Sequence, residues 1–370
     1  EAMRPEIVSL RNRVAANGLK VSSFYWEEKP TRTAVRFGEE MRRSKNLQVI
    51  MGATATELVL DESRQRVTAV TCRSIEGKDL VVEGETIVLA TGALEAARLL
   101  LASNNQLPAG IGNAHDLVGR FYTDHPKHHL GTLQPGSLTR EHAHDLQYAP
   151  KPRFCVCFAL DDETQREHEL LEHVLYLKPL YEKQMARLRR FLLGRPFCLD
   201  GRGAVAAYQV KFVTEQAPQK NSRITLGTER DALGKRKPIL DWCFTDQDRR
   251  SLDKTLQLLT QRFAAAGLGT FDFGEDPPSL ETMTDAAHQM GTTRMASRPE
   301  EGVVDTDCRV FGTDNLYVAS SAVFPTGPSY SPTFTILAIA RRLGQHLLQT
   351  IPRSVENSGT YAATATSSDQ

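Results

Sequence analysis

Hydrophobic and polar positions divide this chain into short segments of two periods. Pro5 to Asn17 predicts a helix that stops at Gly18, a residue suited to a left-handed helix end. Val35–Ser44 predicts a second helix, and Leu47–Met51 a short apolar strand. Thr54–Leu60, Val67–Arg73 and Leu80–Val82 follow, separated by polar turns at Asp61–Arg66 and Glu76-Gly77, which predicts a meander of short strands. Thr86–Ala90 (TIVLA) is continuously apolar, as in a strand buried on both faces. It breaks at Thr91-Gly92 into Leu94–Ala102, a run of strong helix formers. Strand, glycine turn and helix together make the best dinucleotide-fold fragment of the chain.

The composition changes from about Phe121. His125, His128, His129, Tyr148, Phe154 and Phe158 stand among β-type residues, and Tyr181–Leu193 predicts a basic amphipathic helix. Ala204–Thr214 and Ser222–Leu226 read as strands, and Asp246–Ala266 as a helix. Near the end come the strand Leu316–Ala319, a Pro/Gly loop, and the apolar helix Thr333–Leu348 opened by Ser331-Pro332. The Ser-, Thr- and Ala-rich residues 352–370 predict a disordered tail. The pattern predicts a mixed α/β (α+β) chain. A nucleotide domain over 1–120 and 286–351 is interrupted by an antiparallel-sheet substrate domain over 121–285.

Composition narrows the function classes. Of 370 residues, 40% are hydrophobic and 24% charged, as in ordinary soluble domains. Lys+Arg and Asp+Glu both number 45, so no net field favours nucleic acid or an anionic membrane. No apolar run of about 18 residues spans a bilayer. The six cysteines are scattered, with no CxxC pair, and Cys155-x-Cys157 has the spacing of two residues on one strand face. That usage fits a reducing compartment, and the expected location is cytoplasmic. The first residues, EAMRPEIVSLRNRVAANGLK, read like a helix entered midway and carry no signal-peptide pattern.

Candidate chemistry concentrates in the last third. His288 precedes Met290-Gly291-Thr292-Thr293, and an imidazole with an ordinary pKa of about 6.5 can accept a hydroxyl proton near neutrality. Alone, it reads more readily as a histidine hydrogen-bonded in a packed loop, a preference that its surroundings reverse. Ser331-Pro332 suits a helix cap followed by proline at the first helical position, and the same helix end offers free N–H groups to an anion. Thr91-Gly92-Ala93 permits close approach of backbone to a cofactor. Ala319-Ser320-Ser321 occupies the matching end of the later strand, where ligands of open α/β sheets collect. Asp124-His125-Pro126-Lys127-His128-His129 has no standard metal-ligand spacing, and no metal is expected. Three motifs do not occur: a GxGxxG opening a βαβ unit, a P-loop and a G-x-S-x-G elbow.

The segment His288–Ala340 resembles the C-terminal block of the glucose–methanol–choline (GMC) oxidoreductases, FAD-dependent enzymes that oxidise alcohols and sugars. The resemblance rests on His288-x-x-Gly291-Thr292-x-x-Met295, Gly302-Val303-Val304-Asp305, Asn315-Leu316-Tyr317-Val318-Ala319, Phe324-Pro325-Thr326 and Ser331-Pro332-Thr333-x-Thr335-x-x-Ala338-x-Ala340, in the family's order. Ala53-Thr54-Ala55 and Val88-Leu89-Ala90-Thr91-Gly92-Ala93 resemble the family's adenine-side strand and second FAD-contacting turn. Arg223-Ile224-Thr225-Leu226 and Asp241-Trp242 resemble the bacterial sugar-oxidising branch. The resemblance implies a Rossmann-like FAD-binding domain lacking its glycine-rich fingerprint, and so a partner segment or subunit that supplies it. It implies an alcohol or sugar substrate, with His288 as base and hydride passing to flavin N5. It also implies Ala55, Thr91, Gly92, Ala93, Ser320, Ser321, Pro332 and Thr333 at the FAD. Ser331 stands where the family carries Asn or a second His, which leaves a flavin-containing lyase or isomerase as an alternative, and the missing fingerprint leaves a subunit completed by a separate N-terminal FAD-binding polypeptide as another.

Overall fold

A computed structural model describes residues 5–26, 31–142, 146, 149–150, 153–181, 205–275 and 278–351. In chain order the helices are α1 (Pro5–Ala15), α2 (Thr33–Arg43), α3 (Gly92–Ala102), α4 (Ser137–Glu141), α5 (Asp162–Glu167), α6 (Asp246–Ala265) and α7 (Thr333–Thr350). The strands are β1 (Leu19–Trp26), β2 (Thr54–Leu60), β3 (Val67–Arg73), β4 (Asp79–Glu83), β5 (Ile87–Leu89), β6 (Lys127–Pro135) and β7 (Ala149–Pro150). They continue with β8 (Arg153–Leu160), β9 (His173–Tyr181), β10 (Val205–Thr214), β11 (Arg223–Arg230), β12 (Arg236–Asp241), β13 (Gly269–Asp272) and β14 (Leu316–Val318). Among the described residues no helix is long and apolar enough to cross a membrane.

Backbone contacts divide the chain into two units. The first comprises Glu1–Ser44, His125–Glu215 and Asp246–Ala286; the second Lys45–Asp124, Gln216–Thr245 and Ala287–Gln370. The boundaries expected near 120 and 285 lie close to the changes at Asp124/His125 and Ala286/Ala287. Residues 1–44 and 216–245 fall in the opposite unit from the one their composition suggests.

The first unit is an antiparallel sheet in the order β1-β8-β9-β10-β6-β13, with β7 added to β8. Helix α6 buries Leu252, Thr255, Leu258, Leu259 and Phe263, a stripe at helical spacing. Phe263 meets Phe158 of β8 at 5.4 Å and Phe271 of β13 at 4.9 Å between ring centroids, which fixes that stripe against the sheet.

The second unit holds the meander β2-β3-β4, the parallel pair β5 and β14, and the hairpin β11-β12. Its core runs through Leu58, Val67, Ala96, Leu100, Val118, Ile224, Val304, Leu316 and Leu343, so the pieces share one interior. Asn315, nearly fully buried, joins the meander to the parallel pair: its side chain accepts from Val67 N at 2.9 Å and donates to Val67 O and Glu85 O, both at 2.8 Å. The elements Ser222–Leu226 and Leu94–Ala102 are longer than the pattern suggests. Asp231 Oδ1 accepts N–H bonds from Leu233 and Lys235 and so closes the hairpin turn beyond Leu226.

Two sequence expectations differ from the fold, and two more fall on residues outside those described. Leu47–Met51 forms no strand; its apolar side chains are exposed, 85% for Met51, because no described neighbour offers a ladder. Strand β5 is not buried on both faces: Val88 is 40% exposed, and among the described residues β14 is its only partner. The expected helix Tyr181–Leu193 lies outside the described residues apart from Tyr181, which ends β9, and the tail 352–370 lies outside them too.

Candidate functional site

Two strand ends emerge side by side in the second unit. Strands β5 and β14 pair in parallel with Leu89 opposite Val318, and Ala319 N donates to Leu89 O at 2.8 Å. The pairing carries Thr91-Gly92 and Ser320-Ser321 to the same carboxyl edge, the usual ligand edge of such sheets. Gly92 has φ +75°, and a Cβ there would meet nothing within 4 Å. Thr91, the residue before α3, makes no side-chain capping bond, and both Ala90 and Thr91 are exposed. The Ser320 hydroxyl accepts from Ala322 N at 3.2 Å.

The segment after His288 is stitched to both ends. Thr292, fully buried, donates its hydroxyl to Ala93 O at 2.7 Å. Ser321 Oγ donates to Gln289 O at 2.7 Å, and its carbonyl accepts from Gly291 N at 3.2 Å. Thr293 N and Met295 N donate to Ala322 O and Val323 O, each at 2.9 Å. The Thr293 hydroxyl is buried without a hydrogen-bond partner among the described residues.

His288 itself is half-buried, and its backbone is held from the far side of the chain. Its N–H lies 3.2 Å from both carboxylate oxygens of Asp124. The preceding Ala287 sits at φ +58°, a left-handed conformation costing roughly 1 kcal/mol for a residue with a Cβ. Met290 N donates to Thr123 O at 2.9 Å and Thr123 N to Met290 O at 3.2 Å. Gly291 is the only residue that fits next: at φ +85°, a Cβ would stand 2.3 Å from Phe121 O. The Arg294 guanidinium lies 4.6 Å over the Phe121 ring. Sequence reasoning passed over Asp124, which is separated from His288 by 164 positions. Its only signal is an acidic residue beside a histidine tract.

The entry to α7 approaches the same segment through Gly327, where a Cβ would stand 2.6 Å from Met290 Cε. The helix cap is Pro332, at φ −73° and ψ −9°, with no side-chain capping bond. Ser331 therefore does not act as the expected cap; its hydroxyl meets Thr333 Oγ1 at 3.2 Å. Thr333 and Phe334 are exposed. Ala55 lies apart from this group, in a shallow cleft against the flank of α3 formed by Glu95, Arg98, Leu99 and Ala102. All ten expected site residues belong to the second unit.

Among the described residues no three His, Cys, Asp or Glu side chains gather as a metal ion would require. Burial, with His129 adding to it, holds the His128 pKa below the ordinary imidazole value. A cleft of about 990 Å³ in the first unit, lined by Lys20, Arg166, Glu172, Glu215 and Arg250 among others, contains none of the expected residues.

Sequence profiles of the GMC oxidoreductases match residues 28–127 with their N-terminal part and 218–340 with their C-terminal part. The chain belongs to the GMC oxidoreductase family. It is 25% identical over 292 residues to the fructose dehydrogenase large subunit of Gluconobacter japonicus, covering 78% of this chain and 51% of that protein. It is 24% identical over 348 residues to the oxygen-dependent choline dehydrogenase of Photobacterium profundum, covering 87% and 60%. Among solved structures it resembles pyridoxine 4-oxidase from Mesorbium loti, with TM-score 0.63 and 20% identity over 94% of this chain and 70% of that one. It also resembles formate oxidase of Aspergillus oryzae, a protein studied for its FAD modification, with TM-score 0.55 and 15% identity over 94% and 71%. These likenesses carry the fold. The GMC chain described here spans about half to three-fifths of the length of those curated relatives.

FAD fits what this unit offers. Gly92 leaves open space where a side chain would stand, and helices α3 and α7 both begin without a side-chain cap. Such helix ends leave N–H groups free for an electron-rich ring or a phosphate.

Proposed function

We propose that this GMC chain forms the catalytic portion of an FAD-dependent oxidoreductase that oxidises an alcohol or sugar hydroxyl. The supporting observation is the fold of the His288–Met295 motif. It is bonded to Ala93 at the glycine turn and to Ser321–Val323 at the neighbouring strand end. FAD, when bound, supplies the hydride acceptor. The imidazole of His288 takes the proton of the substrate hydroxyl. The Ser331 hydroxyl, with one hydrogen to give, orients the substrate oxygen. Thr91, Gly92 and Ala93 on one side, and Ser320, Ser321, Pro332 and Thr333 on the other, would hold the cofactor, with Ala55 at its far end. The free N–H groups at the start of α7 balance negative charge there.

Completion by a further FAD-binding segment or subunit belongs to the same reading. The edge of β5 away from β14 has no described partner and Val88 on it is exposed, while Phe334 (83%) and Leu337 (63%) leave apolar surface open on α7. An added parallel strand would extend the sheet and bury such surface.

The test is His288→Ala in the full-length, flavin-loaded protein. We expect substrate-driven flavin reduction to slow at least about 100-fold, the scale of a positioned base. Reduction at the wild-type rate would remove His288 from the role.

A further inference from the structure

From the contact between Asp124 and the candidate base we infer that Asp124 is a positioning residue. Its carboxylate holds the peptide N–H of His288 and thereby fixes where the imidazole is rooted. This rests on the reading of His288 as base and names a residue on which that base depends.

Asp124 is 0% exposed, and both of its oxygens stand 3.2 Å from the His288 nitrogen. Bonds from a backbone N–H to a carboxylate are charge-assisted and hold an orientation more firmly than neutral ones. Asp124 is itself fixed: its N–H donates to Gln216 Oε1 at 3.2 Å. That same oxygen accepts the Trp242 indole N–H at 2.8 Å, while Gln216 Nε2 donates to Cys243 O at 2.9 Å. On the opposite flank the paired bonds of Thr123 and Met290 set the register of the two segments.

Between these anchors Ala287 is kept in its left-handed conformation. A residue with a Cβ leaves that conformation when nothing over-determines it. Losing the Asp124 acceptor removes one restraint on the Ala287–His288 peptide, which lets the His288 N–H turn and displaces the base of its side chain. Misplacement by about 1 Å is enough to slow a reaction about 100-fold.

The experiment uses the full-length protein as wild type, Asp124→Ala, Asp124→Asn and His288→Ala. Deuterium exchange of the peptide spanning His288 is read by mass spectrometry without substrate. Flavin reduction is read anaerobically with whichever of ethanol, choline, D-fructose or D-glucose bleaches the wild type. For Asp124→Ala we expect exchange at the His288 peptide at least about ten-fold faster and reduction about 100-fold slower. Flavin content, substrate dissociation constant and exchange of the β5 peptide should stay at wild-type values.

Asp124→Asn keeps the shape and one accepting oxygen. It should fall between the two on both readouts, and it carries the test if the alanine variant does not fold. Unchanged exchange at the His288 peptide overturns the positioning role even where His288→Ala is slow. So does faster exchange at β5 with loss of flavin, since that marks a general structural role. If Asp124→Ala loosens the peptide while His288→Ala reduces flavin normally, the anchor stands and the base assignment falls. If none of the four alcohols bleaches the wild type, the exchange arm alone decides.

Discussion

Replacing Gly291 with alanine tests whether the histidine segment is packed as tightly as its geometry implies. Gly291 sits at φ +85°, and the added Cβ would stand 2.3 Å from Phe121 O and 3.3 Å from Phe121 C. Real Cβ atoms do not tolerate that approach, so one backbone must move by about 1 Å. Phe121 is not free to yield, because the next residue is tied by Tyr122 N to Ser222 O at 2.9 Å and by Ser222 Oγ to Tyr122 O at 2.7 Å. The shift falls on the Gly291 side and breaks the reciprocal Thr123–Met290 bonds. Two backbone bonds at about 1 kcal/mol each, plus about 1 kcal/mol for the left-handed conformation, give about 3 kcal/mol. For a body of 150–250 residues that is a drop of roughly 6–12 °C in melting temperature. Gly234→Ala isolates the conformational part, since Gly234 has φ +77° and open space at its Cβ; it should cost about 1 kcal/mol. Thermal unfolding of both variants by circular dichroism decides the matter. A Gly291→Ala protein no less stable than Gly234→Ala would refute the packing argument.

Two further outcomes follow from single contacts. Thr292→Val removes the hydroxyl that satisfies Ala93 O and should cost about 1–2 kcal/mol in urea denaturation; a loss below about 0.3 kcal/mol would mean the link to the glycine turn carries no weight. His173 accepts from Leu160 N through Nε2 at 3.1 Å, and its Nδ1 lies 3.2 Å from Leu171 O. Burial pushes its pKa down to about 4, below the unfolded value of about 6.5, so the unfolded chain binds more protons between those limits. Stability should be fully present above about pH 6.5 and decline by about 3 kcal/mol as pH falls to about 4. His173→Leu should lose part of that slope, and an unchanged slope in the urea midpoint would show that His173 contributes none of it.

What the sequence revealed was local. The strand–glycine–helix unit at Thr86–Ala102 and the order of motifs from His288 onward are legible because glycine turns and apolar runs act within a few residues. Within 121–285 only Ala204–Thr214 and Ser222–Leu226 were legible as strands for the same reason; β6, β8, β9 and β13 were not marked out by local pattern. Asp124 and Gln216 were not, because the bond between them spans 92 positions and that from His288 to Asp124 spans 164, and a buried carboxylate looks like any acidic residue in a loop. Leu47–Met51 failed for the opposite reason. Its apolar run is real, but strand formation needs a neighbour's free ladder, and the described residues supply none. Ser331 matched the composition of a cap, yet the turn places Pro332 at that position and points the hydroxyl to Thr333.

The most direct test of redox chemistry at this site is anaerobic mixing of the full-length flavin-loaded protein with the alcohols named above while the oxidised flavin absorbance is followed. At least one of them should bleach the flavin stoichiometrically, and air or an added quinone should restore the colour. Turnover of an alcohol with the flavin remaining fully oxidised under those conditions would contradict redox chemistry at this site.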